Sequence, residues 1–226
     1  MPVIHLIRHA QASFGDASYD VLSELGHRQA ELLDEALARR GVRAARVEAG
    51  TPARQQDTAR ACPRSAPGEL RIDPRWDEYD TAAVLAEHGD RAGDARLGEL
   101  GAPAGISSRE FQTLLDRALA EWIRAGESSP CPETWTAFQA RALGALEDLA
   151  RDLASGEQAA VFTSGGVIAA ICVALLGAPP EVFVTVNRVG VNSGVTKVMV
   201  GASGARLVTF NEHGHLEHDR ALMTFR

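Results

Sequence analysis

The sequence offers no disulfide framework and no thiolate zinc site. Cys62, Cys131 and Cys172 are odd in number, widely spaced and contain no CxxC pair. The expectation is three reduced, mostly buried thiols in a cytoplasmic protein. A basic balance is also missing: the net charge is −7, so a general nucleic-acid partner is not expected. In that overall field an anionic substrate needs a local cluster of arginines. Long apolar runs are absent too. The longest, Val167 to Leu176, falls short of the roughly 20 residues that span a bilayer and reads as a buried helix. The opening MPVIHLIRH lacks the basic segment and apolar run of a secretory signal, so neither export nor a membrane partner is expected. No internal repeat or low-complexity tract interrupts the chain.

What is present is an alternation of short strands and helices. At 226 residues, 45% of them hydrophobic, the chain can bury one sizeable core. Val3–Ile7 reads as a buried strand with Arg8, His9 and Ala10 at its carboxyl end. Ser23 caps a helix from Glu24 to Arg40, whose apolar face is Leu25, Leu32, Leu33, Ala36 and Leu37, and Gly41 stops it. Val42–Ala49 is a weaker strand. A turn at Gly50-Thr51-Pro52 opens a helix carrying Arg54, Gln55, Thr58 and Ala59. Leu70–Ile72 is a third strand, followed by Trp76, Asp77, Glu78 and Tyr79. From about 80 to 132 the composition shifts to Gly, Ala, Arg and acids. This stretch reads as a helical insertion within a single domain of residues 1–226, with a capping box from Ser107 to Glu110 starting a helix that runs to Ala125. Then come a long helix from Trp135 to Ala154, a strand Ala159–Thr163, a turn at Ser164-Gly165-Gly166, the Val167–Leu176 helix, and a closing hairpin of Val195–Val200 with Ala205–Phe210. The expected fold class is α/β: a three-layer α/β/α sandwich around a mostly parallel sheet. In such sheets ligands bind at the carboxyl ends of the strands, where Arg8, His9, Glu78 and Ser164 all fall.

The residue types gathered there suit a phosphoryl group. A guanidinium presents a planar fork of donors to phosphate oxygens, and a neutral imidazole is a competent nucleophile. Arg54, near a helix start, adds both its charge and the anion preference of the helix N-terminus. Leu6-Ile7-Arg8-His9-Ala10-Gln11 resembles the strand and Arg-His-Gly motif of the histidine phosphatase (phosphoglycerate mutase-like) superfamily. The Arg54…Thr58-Ala59 stretch resembles its second arginine motif, Glu78 its acidic proton donor, Glu133-Thr-Trp135 with Arg141 its Glu-started helix, and Asn211–Leu216 its closing segment. These matches run in family order over most of the chain outside the insertion.

The resemblance implies a metal-independent and cofactor-free phosphomonoesterase acting on a small phosphorylated substrate. His9 would attack phosphorus, Arg8 and Arg54 would neutralise the equatorial oxygens, and Glu78 would protonate the leaving alcohol and then activate water. Ser164 and Gly165 join Arg8, His9 and Arg54 as expected phosphate contacts. A homodimer through a sheet edge or helix packing is compatible with the sequence.

Four positions depart from the pattern. Ser164 stands where the family places its second active-site histidine. A hydrogen bond from a charged group contributes about 1.5–3 kcal/mol and a neutral one about 0.5–1.5. The resulting deficit of about 1–2 kcal/mol would slow the reaction roughly five- to thirtyfold. Ala10 replaces a glycine, and Ala12 and Gly15 replace polar side chains. Three other readings compete: mutase-type phosphotransfer, a degenerate protein that binds a phosphorylated ligand without turnover, and a serine hydrolase with Ser164 as nucleophile in the near-elbow Phe162-Thr163-Ser164-Gly165-Gly166. His213, His215 and His218 cluster near the carboxyl end as turn residues, and His5 as a satisfied core residue.

Overall fold

The structure is a computed structural model and describes residues 1–13, 20–89 and 108–225. Gly15 and all of residues 90–107, Ser107 among them, lie outside the described residues. Six strands form one sheet: β1 (Val3–Arg8), β2 (Arg46–Ala49), β3 (Leu70–Ile72), β4 (Gln158–Thr163), β5 (Val195–Gly201) and β6 (Gly204–Glu212), in the order β3-β2-β4-β1-β5-β6. The first four run parallel, β5 is antiparallel to β1, and β6 closes the hairpin. The α/β class is thus as expected, with helices covering both faces.

One face carries α1 (Glu24–Arg39) and α2 (Ala53–Arg60), which with Cys62 just past α2 bury Leu33, Leu37 and Ala59 against Ile7, Val47 and Phe162. Ser23 caps α1 by accepting from the Gly26 amide, and Gly41 beyond its end has φ +75°, the left-handed geometry that a glycine adopts freely. The opposite face carries α5 (Trp135–Asp152) and α6 (Gly165–Leu175), flanked by α3 (Thr81–His88), α4 (Ser108–Ala125) and α7 (Val182–Arg188). The aromatic content is only 5%, yet Tyr79, Trp122, Trp135, Phe138 and Phe183 stack into a single cluster, with Trp135 and Phe183 rings 4.6 Å apart. That cluster anchors the residue beside Glu78. All three cysteines are buried, and desolvation pushes the Cys172 thiol up to about 12, far from a reactive thiolate.

Several expected boundaries are corrected. The second strand is Arg46–Ala49 rather than Val42–Ala49, because the pairing ladder with β4 reaches back only to Arg46, opposite Ala159. Gly165 and Gly166 form the first turn of α6 instead of a separate turn before it. Helix α7 was not anticipated: Val-Phe-Val-Thr-Val is a β-branched run that reads as extended, and burial of Phe183 in the aromatic cluster overrides that preference.

Candidate active site

Strands β1 and β4 are neighbours in register, Arg8 opposite Thr163, so the residues that follow them emerge side by side. The His9 amide donates to the Thr163 carbonyl at 2.8 Å, which ties the two strand ends together. Asn192 Nδ2 donates to the His9 carbonyl (3.0 Å), and the Ala10 amide donates to Thr58 Oγ1 (3.0 Å). The histidine is thus fixed by its backbone from three directions.

Its ring is fixed as well. His9 Nδ1 donates to the Ala10 carbonyl at 2.8 Å, and Arg54 Nε donates to His9 Nε2 at 3.3 Å. A carbonyl only accepts and a guanidinium only donates, so both contacts require the neutral tautomer with its proton on Nδ1. Electrostatics agree. The ring is 7% exposed, and desolvation, then Arg54 and Arg8, hold its pKa well below the ordinary imidazole range. Nε2 therefore presents a lone pair at neutral pH, the state a nucleophile toward phosphorus needs.

The two expected arginines are both held by protein acceptors. Arg54 is oriented by Asp20, whose carboxylate accepts from Arg54 Nη1 (2.6 Å) and from the Ala53 amide (2.6 Å) at the start of α2. One acid thereby caps the helix and aims the guanidinium. Arg8 donates through Nη1 to the Gly190 carbonyl and through Nη2 to the Phe225 carbonyl (3.0 Å). A Cβ at Gly165 would lie 3.5 Å from Arg8 Nε, so the start of α6 packs directly on this guanidinium.

Glu78 faces the same helix start. Its Oε2 accepts from the Gly166 amide at 3.0 Å and its Oε1 from the Tyr79 amide at 3.2 Å. Desolvation raises its pKa, with those amides and the two arginines opposing. A Cβ at Gly166 would come within 2.2 Å of Glu78 Oε1 and 2.6 Å of the Tyr79 ring, so this position requires glycine. The segment carrying Glu78 is held by Arg141, which pairs with Glu133 at 2.7 Å and donates to the carbonyls of Arg75 and Asp77.

Ser164 is the N-terminal boundary residue of α6 and is 1% exposed. Its Oγ accepts from Gln55 Nε2 at 2.8 Å, while Gln55 Oε1 accepts from the Gly50 amide at 2.8 Å. No histidine is bonded to Ser164 among the described residues, so the serine-hydrolase reading has no general base. His215 is instead bonded to Ser193 at 3.0 Å. Ser193 adopts φ +58° and its amide donates to the Arg8 carbonyl, so this pair braces the backbone of the arginine. His213 is bonded to the Asn211 carbonyl. His5 is only partly satisfied: Nε2 meets Gln158 Oε1 at 3.3 Å, Nδ1 has no hydrogen-bond partner among the described residues, and desolvation lowers its pKa to about 4. Ala12 is buried in an isolated bridge with Leu22. No group of three or more metal-ligating side chains gathers among the described residues.

Asp20, Gln55, Thr58, Asn192 and Ser193 carry much of this geometry. They join segments up to 183 residues apart, and only Gln55 and Thr58 belong to a stretch the sequence marks. A search of curated protein sequences finds no match. Among solved structures, a mycobacterial glucosyl-3-phosphoglycerate phosphatase is 21% identical, covering 94% of this chain and 99% of its own, with a TM-score of 0.64. YhfR of Bacillus stearothermophilus is 19% identical over 96% and 100%, TM-score 0.68. The phosphoserine phosphatase of Entamoeba histolytica is 16% identical over 96% and 100%, TM-score 0.67. No described helix is long and apolar enough to cross a membrane. The profile of the histidine phosphatase superfamily (branch 1) matches residues 4–85 and 79–213, so the chain belongs to that superfamily.

Proposed function

We propose that the protein hydrolyses small phosphate monoesters through a phosphohistidine at His9. The observation that carries this reading is the ring itself: a neutral imidazole, proton on Nδ1, with a guanidinium at its Nε2. An arriving phosphoryl group takes over the Arg54 hydrogen bond, which frees the Nε2 lone pair for in-line attack. An N–P bond forms as the P–O bond to the leaving group breaks, and Glu78 gives its proton to the departing alkoxide. In the second step the Glu78 carboxylate takes a proton from water, whose oxygen attacks phosphorus. The N–P bond breaks, and inorganic phosphate and neutral His9 are regenerated. Arg8 and Arg54 stabilise the charge that spreads over the equatorial oxygens, with Ser164 and the Gly165 amide facing the same group.

Related structures fit a small anionic ligand. The mycobacterial phosphatase is described with inorganic phosphate and with VO3, and the Entamoeba phosphatase with 3-phosphoglyceric acid. The test is turnover of a panel of small phosphate monoesters by wild type and His9→Ala, with acid-quench trapping of labelled phosphate on the protein. Turnover and a trapped phosphohistidine, both lost in His9→Ala, are expected. Turnover indifferent to His9→Ala would falsify the mechanism. The neutral Ser164 favours one second reading, a phosphate-binding protein without turnover. It would bind inorganic phosphate in an Arg54-dependent way and never label His9.

A further inference from the structure

Resting on the reading that this pocket holds a phosphoryl group, we infer that Gln55 is a positioning residue that makes Ser164 a dedicated hydrogen-bond donor to phosphate. The Gly50 amide can only donate, so the Gln55 atom 2.8 Å from it is the carbonyl oxygen Oε1. The amide nitrogen Nε2 must then face Ser164 Oγ at 2.8 Å and the Trp76 carbonyl at 3.4 Å. Gln55 is fully buried and is held from the end of β2, the turn before Glu78 and the start of α6, so its orientation is locked.

The consequence falls on the serine. A hydroxyl has one proton and two lone pairs. One lone pair of Ser164 is taken by Gln55, and its proton goes to no other acceptor among the described residues. Ser164 does not cap its own helix, since it makes no side-chain bond to an α6 amide. The proton is left over at the point where α6 begins, between Arg8, which packs on Gly165, and Glu78, which binds the Gly166 amide. A phosphoryl oxygen at that point accepts it. The pair Gln55–Ser164 thus supplies in two neutral steps what a single charged side chain would supply directly.

The experiment is a double-mutant cycle read by calorimetric titration of inorganic phosphate into the full chain, using Gln55→Glu, Gln55→Met, Ser164→Ala and the doubles. In Gln55→Glu one carboxylate oxygen still accepts from Gly50, while the other captures the serine proton. Phosphate Kd is expected to rise roughly twofold to tenfold in Ser164→Ala, and by at least that factor in Gln55→Glu. Gln55→Met removes the orientation without capturing the proton and is expected to weaken binding severalfold. It also carries the cycle if the buried carboxylate prevents folding. In a Ser164→Ala background both Gln55 changes are expected to do nothing further, which a merely structural role for Gln55 would not produce. Additive losses, or Gln55 variants that bind phosphate as wild type does, overturn the inference while leaving the phosphate site standing. Absence of phosphate binding in wild type overturns the site itself.

Discussion

His9 has two unlike flanks. One flank is charged: two guanidiniums, each held by protein acceptors, Arg54 by Asp20 and Arg8 by the carbonyls of Gly190 and Phe225. The other flank is neutral: the start of α6, which packs on the Arg8 guanidinium, offers Ser164 backed by Gln55 and the Gly165 amide, the Gly166 amide being taken by Glu78. The charged flank works by Coulomb attraction in a poorly solvated pocket, where removal of one partner is severe. The neutral flank works by direction, where each group contributes less and depends on its neighbour. The contrast predicts a steep hierarchy of mutational effects, with large losses on the arginine side and small, coupled ones on the serine side.

The sharpest break is at Glu78, the proposed proton donor. Glu78→Gln is expected to lower kcat on an alkyl phosphate by about 10²- to 10⁴-fold, and much less on an ester whose leaving group needs no proton. Its raised pKa keeps Glu78 protonated above the ordinary carboxylate range. The alkaline limb of the wild-type pH profile should therefore vanish in Glu78→Gln. His9, held below the imidazole range, should set no limb near pH 6.5. Retention of the alkaline limb in the variant would remove Glu78 from the acid role.

Arg54→Ala should lower kcat by about 10²- to 10³-fold, as loss of one preorganised charge does. Asp20→Asn tests whether the acid orients that charge or merely caps the helix. Asparagine can still cap α2, so a fall in kcat with little loss of thermal stability would mark orientation. Equal behaviour to wild type would leave Asp20 a cap only.

The flanks also differ in legibility. Arg8, His9 and Arg54 announce themselves because each sits in a local pattern, a strand end or a helix start. Ser164 was visible for the same reason. Gln55 was read only as a helix residue, because its meaning comes from Ser164, 109 residues away. Asp20 gave no local signal at all, since its partners on α2 are 33 and 34 residues off. The sheet was legible from its strands, yet β2 was overextended, since a ladder's end depends on the partner strand rather than on the residues of the strand itself. Pairing, capping and orientation across long separations are properties of packing, and periodicity does not carry them.

Stability against acid sharpens the comparison from outside the pocket. His5 and His215 are both lowered to about 4 by desolvation, and His9 is lowered too. Each folded pKa lies below the unfolded value near 6.5, so unfolding takes up protons in that window. Their contribution is full above about pH 6.5 and is lost as pH falls toward 4. Glu78, raised in the folded state, acts oppositely, and its contribution is full at low pH and fades as pH rises. Denaturant unfolding at pH 7, 6 and 5 should therefore show stability falling, and the fall should be smaller in His5→Gln. A pH-independent midpoint over that range would contradict the buried neutral histidines.

The smallest effect concerns the neutral flank and decides how it came to be neutral in energetic terms. Placing a histidine at 164 ought to add the roughly five- to thirtyfold by which a charged donor exceeds a neutral one. The geometry says it cannot do so alone. Gln55 Nε2 lies 2.8 Å from Ser164 Oγ, both side chains are buried, and Gln55 Oε1 is tied to the Gly50 amide at 2.8 Å, so a larger side chain at 164 runs into Gln55. Ser164→His is expected to lose about 1–3 kcal/mol of stability to overpacking, without gain in kcat. Gln55→Ala with Ser164→His vacates that space and is expected to raise kcat/KM. A gain from Ser164→His alone, with stability intact, would mean that the imidazole finds another path into the pocket and that Gln55 and Ser164 are neighbours without being a unit.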